Sequence, residues 1–358
     1  MMATLTVNFV NHFMLALVYA CTLIMLVIGL NMTYSVMKFS NFAHAEFITL
    51  GMYFGWWTLQ ALSFLFPLGQ PGSDLFNNIF VQSSLSFIGT GFFGIICDKV
   101  VFAKLRESNA NQTSFVVASI GIGFIARYLF GMIWGELPVP GAVYSSIPIF
   151  PQFIPDFLRQ GNYNIPLFNS MFGVQRITIT NFQLYIIILA FVMVFMVDFF
   201  FRKTKTGIAM RATSDSFELA QVTGIDTKRI IYITWFLAAG ITGFAGAWVR
   251  TTNNSFTNVD GNTYWLLPVF AVAILGGVGS FKGGIISAFI LAFARQITTI
   301  LFTQFQLKSG VFPLESMLNI VTFAPGYAEG IGFAILIVVL LFRPQGIAGS
   351  VEAGRERV

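Results

Sequence analysis

Apolar residues fall in long runs separated by short polar stretches. Crossing a hydrocarbon core about 30 Å thick takes about 20 largely apolar residues at about 1.5 Å per residue. Nine stretches approach that length: 11–30, 42–66, 79–101, 113–133, 181–201, 230–250, 264–280, 284–305 and 324–342. The 264–280 run is short, contains Pro268 and ends in a glycine cluster, which leaves a half-helix or broken helix open. The 31–41 connection is open to the same reading, dipping back into the bilayer. The pattern predicts an all-α fold, a polytopic transmembrane helix bundle of about 8–9 spans with one broken or re-entrant segment as an alternative.

Composition supports the membrane reading. The 358 residues are 56% hydrophobic and only 10% charged, with 42 Phe, too apolar for a soluble surface to cover. The net charge of +5 is concentrated in a few short loops. The aromatics lie in uncharged runs far from those loops, which argues against a nucleic-acid partner and leaves the lipid bilayer. Cys21 and Cys97 fall in or at the end of apolar runs and act there as small hydrophobes. With two Cys and two His, no metal or cofactor is expected. The same scarcity argues against an enzyme, which would need a nucleophile and base or a metal cluster among the spans. The first apolar run has neither a basic flank nor a small-residue cleavage pattern and is read as a retained helix.

Lysine and arginine in short loops orient the chain. Residues 98–111 carry Lys99, Lys104 and Arg106, and residues 202–229 carry Arg202, Lys203, Lys205, Arg211, Lys228 and Arg229. Both loops are expected in the cytoplasm. Residues 67–78 have no Lys or Arg and 134–180 only Arg159 and Arg176, which places them outside. Nine spans then put the N-terminus outside and the tail, with Arg343, Arg355 and Arg357, in the cytoplasm.

Four motifs stand out. The 203–229 loop predicts a short helix across the cytoplasmic face, capped by Ser214 or Asp215, with Glu218 in its first turn and Gly224 as a left-handed stop. Inert topology and partner docking both fit such a loop. Asn41-Phe42-Ala43-His44-Ala45-Glu46 places costly polar groups at a membrane edge; either a translocation path or a structural hydrogen-bond knot would satisfy them. Leu275-Gly276-Gly277-Val278-Gly279-Ser280-Phe281-Lys282-Gly283-Gly284 joins two membrane segments tightly, and Lys282 lacks the following hydroxyl of a phosphate-binding loop. Arg343-Pro344-Gln345-Gly346 stops the last helix. Gly51, Gly55, Gly240, Gly243 and Gly246 read as helix-packing positions. Arg295 lies mid-helix, where an unpaired guanidinium costs at least about 2.5 kcal/mol. An acidic side chain or a substrate carboxylate would serve as its partner. Arg127 and Glu46 call for the same scrutiny, with snorkelling to the interface the alternative for Arg127.

In this order the four motifs resemble the Liv-type permease subunits of branched-chain amino-acid ABC importers. The resemblance spans about 11–66 and 181–349, more weakly 79–133. Departures are Ala45 in place of a glycine, Arg295 in place of a glutamate, and long outer segments. The resemblance implies a single permease domain over 1–349, with an extracytoplasmic segment at 133–180, a cytoplasmic coupling loop at 202–229 and a tail at 350–358. It also implies a multi-pass protein of a prokaryotic plasma membrane. A second, related permease, two cytoplasmic ATPases that hydrolyse ATP and an external substrate-binding protein would be its partners. The coupling residues would be Arg211, Ala212, Asp215, Glu218, Ala220, Gly224 and Ile225. Asn41, His44, Glu46 and Arg295 would be candidates for the translocation path, and Gly276, Gly277, Gly279 and Gly283 for the helix turn. Urea or short amides as substrate, or a stand-alone carrier or channel, are the alternatives.

Overall fold

A computed structural model of the chain describes residues 2–65, 79–134, 162–164, 178–252, 258–308, 330, 334, 336–343 and 345–348. The helices are α1 (Met2–Met37), α2 (His44–Leu65), α3 (Ile79–Cys97), α4 (Ala103–Glu107), α5 (Gln112–Trp134), α6 (Asn181–Lys203), α7 (Lys205–Asp215), α8 (Phe217–Val222), α9 (Thr227–Thr252), α10 (Asn258–Gly276) and α11 (Phe281–Lys308). A π turn, Asp98–Phe102, joins α3 to α4. Strands β1 (Asn162–Asn164) and β2 (Thr178–Thr180) form a short antiparallel ladder with Tyr163 opposite Ile179.

Among the described residues six helical stretches are long and apolar enough to cross a membrane: His12–Met37, Ile79–Glu107, Gln112–Ile133, Gln183–Lys203, Thr227–Val249 and Phe281–Ile300. A shorter apolar helix covers Trp265–Gly276. The run expected at 42–66 is α2, and that at 324–342 is helical where described, at 330, 334 and 336–342. Residues 67–78, most of 134–180, Pro344, Gly349 and 350–358 lie outside the described residues.

Three boundaries differ from the sequence reading. The 31–41 stretch does not dip back: α1 runs on to Met37. Its polar side chains bond to their own helix, Thr33 Oγ1 to the Leu30 carbonyl at 2.9 Å and Ser35 Oγ to the Asn31 carbonyl at 2.8 Å, so their polarity does not end it. The stretch from residue 98 is helical as far as Glu107, because Arg106 neutralises Asp98 within it. Finally, α10 is continuous through Pro268, which removes the broken-helix reading, while its apolar part, Trp265–Gly276, stays short as a half-helix would.

The chain divides into two compact units. In the unit made of Met25–Ile154 and Leu189–Val269, α9 packs on α3 and α2. Small residues let the backbones touch, as they must where lipid supplies little driving force. A Cβ on Gly51 would overlap the Gly243 backbone, one on Gly243 would overlap Thr90, and one on Gly246 the Ile48 carbonyl. Ser86 Oγ sits where the three helices meet, 2.8 Å from the Gly51 carbonyl and 2.9 Å from that of Gly243. Trp235, fully buried, stacks on Phe102 with centroids 5.0 Å apart. By contrast α5 and α6 expose broad apolar faces, including Ile125, Tyr128 and Met132, and Phe195 and Met196; these suit contact with acyl chains.

The other unit comprises Met1–Ile24, Pro155–Ile188 and Phe270–Val358. Its glycine turn between α10 and α11 needs positive φ at Gly277 (94°) and Gly279 (87°). Gly276 and Gly283 approach so closely that a Cβ on either would overlap the other's backbone. Ser280 Oγ then accepts the Gly283 N–H at 3.1 Å, capping α11. The segment after Arg343 folds back on this turn. The Ile347 and Ala348 N–H groups donate to the Leu275 and Gly276 carbonyls at 2.9 and 3.1 Å, two of the groups a helix C-terminus leaves open. The two sequence motifs thus form one structure. Ile347→Pro, which removes the first of these donors, should cost about 1–3 kcal/mol, measured as a lower Tm in detergent relative to Ile347→Val; equal Tm values would show the strap to be dispensable.

Candidate functional site

The 202–229 loop holds two helices, not one. A tight elbow leads into α7: Thr204 Oγ1 accepts the Gly207 N–H at 3.0 Å, and Gly207 lies against the Phe200 carbonyl with no room for a Cβ. Met210 and Thr213 are buried and α7 packs on α9. The cap of the second helix, α8, is Ser216, whose Oγ accepts the Leu219 N–H at 3.3 Å. The capping role expected of Ser214 or Asp215 is therefore displaced to Ser216, where the backbone turns extended between α7 and α8. Asp215 instead ends α7, and Ser214 Oγ donates to the Ser35 carbonyl at 2.8 Å.

Glu218 lies in the first turn of α8 and Gly224 has φ 83°, as the sequence indicated. The Gly224 and Ile225 N–H groups donate to the Gln221 and Ala220 carbonyls, both at 3.0 Å, a Schellman stop. Arg211, Asp215, Glu218 and Gly224 are exposed, Ala212 and Ile225 are half-buried and Ala220 is buried. Phe217, Leu219 (62% exposed) and Val222 (85% exposed) turn apolar side chains outward.

The Asn41–Glu46 motif forms a buried polar cluster. Asn41 Oδ1 accepts the Ala43 N–H at 3.1 Å, an Asx turn leading into α2. His44 is fully buried. Its Nε2 lies 3.1 Å from the Leu26 carbonyl and 3.0 Å from Thr242 Oγ1, while Thr242 gives its own hydrogen to the Ala238 carbonyl at 2.9 Å. Both partners of Nε2 are then acceptors, which assigns the Nε2–H tautomer. Glu46 (side chain 2% exposed) accepts from Arg127 Nε on α5 at 2.9 Å, with Arg127 19% exposed. The structure therefore pairs the two charges that the sequence singled out separately.

Arg295 stands apart from that cluster in sequence and lies over the Tyr19 ring, its Cζ 4.3 Å from the centroid. Around it Gln296 Nε2 meets His12 Nδ1, and Phe293 packs on Phe13 at 5.1 Å. The Gly276, Gly277, Gly279 and Gly283 turn is the one described above.

Sequence reasoning missed Asp98, which is fully buried and held by both Arg106 terminal nitrogens at 2.8 Å. The (i, i+8) spacing across a π turn corresponds to no regular helical pair. Nothing in the sequence around Ser214 points beyond a cap to its bond with the Ser35 carbonyl, 179 residues away.

A family described as “Branched-chain amino acid transport system / permease component” matches residues 13–340. The high-affinity branched-chain amino acid transport system permease protein BraD of Pseudomonas aeruginosa is 25% identical over 96% of this chain and 97% of its own length. LivH of Escherichia coli K12, of the same description, is 24% identical over 92% of each chain. The fructose import permease protein FruF of Bifidobacterium longum is 31% identical, but over 30% of this chain and 32% of its own. No solved structure matches the chain. Six described helices able to cross a membrane, a glycine-packed bundle and a family match running from residue 13 to residue 340 make this a multi-pass membrane protein of the branched-chain amino acid transport permease family.

Proposed function

We propose that the chain supplies one half of the translocation path of an ATP-driven importer of branched-chain or other hydrophobic amino acids. It would pair with a second, related permease, with two ATPases on the cytoplasmic side and a substrate-binding protein outside. The N-terminus is then outside, the tail cytoplasmic, and the 202–229 loop faces the ATPases. Hydrolysis happens on those partners, and this chain converts their closure into a tilt of its helices.

The observation that carries this reading is α8. Apolar side chains exposed beside Lys and Arg at a membrane edge are costly in water unless a partner covers them, and α8 stands on α7, itself packed on the bundle. Leu219→Asp/Val222→Asp should leave the protein monodisperse in detergent and remove co-purifying ATPase subunits, a loss of about 100-fold in affinity, as expected when two central apolar contacts are lost. Retention of the ATPases by the double variant would refute α8 as the docking face. Absence of ATPases from the wild type, with co-expression confirmed, would instead favour a stand-alone carrier.

For the substrate, the similarity to BraD and LivH over nearly the whole chain supports branched-chain amino acids; the fructose permease matches a third of it. Uptake of labelled leucine, competed by valine and isoleucine but not by urea or fructose, is the expected result.

A further inference from the structure

The end of α1 is a junction. Lys38 follows it with φ 57°, a left-handed conformation uncommon for a residue with a Cβ, and its N–H closes on the Tyr34 carbonyl at 2.8 Å. Three other elements meet this point. Ser214 Oγ at the end of α7 donates to the Ser35 carbonyl at 2.8 Å, and Gln112 at the start of α5 donates to the Lys38 carbonyl. Arg106, while holding the buried Asp98, reaches Met37 Sδ at 4.0 Å. Beyond Lys38 the chain enters the Asn41 turn, whose Phe42 N–H is held by Ser119 Oγ at 3.0 Å, and then the His44 and Glu46 contacts.

Of these contacts, Ser214 is the one made by the 202–229 loop. The helix that carries it is fixed at its other end by the Thr204 cap and the Gly207 elbow, so α7 is tethered at both ends. Ser35 lies in the last turn of α1, and its carbonyl receives the side-chain hydroxyl from the loop.

We infer that Ser214 is a positioning residue that transmits movement of the partner-docking loop to the end of α1, and through Lys38 to the 38–46 segment, by its hydrogen bond to the Ser35 carbonyl. This rests on the docking role of α8 proposed above. It separates two tasks within one loop: α8 makes the partner contact, and α7 with Ser214 delivers it to the bundle.

The test uses the complex purified through a tag on this chain, reconstituted in proteoliposomes with its binding protein and labelled leucine. Ser214→Ala should retain the ATPase subunits and hydrolyse ATP without leucine at the wild-type rate. Leucine moved per ATP should fall about three- to tenfold, the range set by one hydrogen bond, and Ser214→Thr should restore it. Amide hydrogen exchange over 36–43 should respond to ATP in the wild type and in Ser214→Thr but not in Ser214→Ala. A merely structural serine would change stability without altering that response. An unchanged ratio and an unchanged exchange response in Ser214→Ala would overturn the inference while leaving α8 docking intact. A wild type that retains no ATPase would defeat the docking reading and this inference with it.

Discussion

Gly243→Val is expected to abolish recovery of monodisperse protein. Overpacking a core usually costs about 1–3 kcal/mol because side chains can rotate away. Here the obstacle is Thr90, whose own Cβ, which no rotation of its side chain moves away, would lie 2.5 Å from the new carbon, and the added carbons would also pry apart the carbonyls that Ser86 joins. The helices would have to separate, so the loss should exceed about 3 kcal/mol, above that usual range. Gly121 on α5, where an added Cβ meets nothing within 4 Å, provides the control: Gly121→Ala should behave as wild type. Size-exclusion profiles and Tm in detergent check both, and a Gly243→Val protein with a wild-type profile would remove the close crossing from the account.

The second large effect concerns Glu46 and Arg127. Removing one member of a buried ion pair leaves the other unpaired, at about 3–5 kcal/mol, whereas replacing both by uncharged groups is far milder. The pair is asymmetric: Glu46 is almost fully enclosed, while Arg127 is partly exposed and can redirect its long side chain toward the interface. Arg127→Ala should therefore lower Tm more than Glu46→Ala. Glu46→Gln/Arg127→Gln should recover most of the loss. Equal losses in the two single variants would refute this asymmetry, and a double variant worse than both would show that the charges themselves are needed.

What the sequence disclosed was governed by the range of each interaction. Apolar runs announced the helices because the property is local, and Gly224, Gly277 and Gly279 announced turns because positive φ is a property of single residues. The helix cap was misplaced by one or two positions because Ser214, Asp215 and Ser216 all make good caps; the choice lies in one extended residue between two helices. The end of α1 was placed too early because Asn31, Thr33 and Ser35 look polar in sequence, and the bonds of Thr33 and Ser35 to their own helix become evident only in the fold. Arg127 and Glu46 were both conspicuous, yet 81 residues separate them, and only tertiary packing pairs them. Asp98 was hidden by the opposite circumstance: nearby basic residues made its surroundings read as a loop.

The strap over the α10–α11 turn bears on how the protein is made. Carbonyls at the end of α10 are synthesised well before the Ile347 and Ala348 amides that bond to them. Until those residues leave the ribosome, the Leu275 and Gly276 carbonyls lack these two donors. The order of synthesis thereby makes the strap's two hydrogen bonds later events than the synthesis of α10 and α11. A chain released before Ile347 would keep the turn's own bonds, from the Gly277 N–H to the Ile274 carbonyl and from the Ser280 N–H to the Gly277 carbonyl, and lack only the strap.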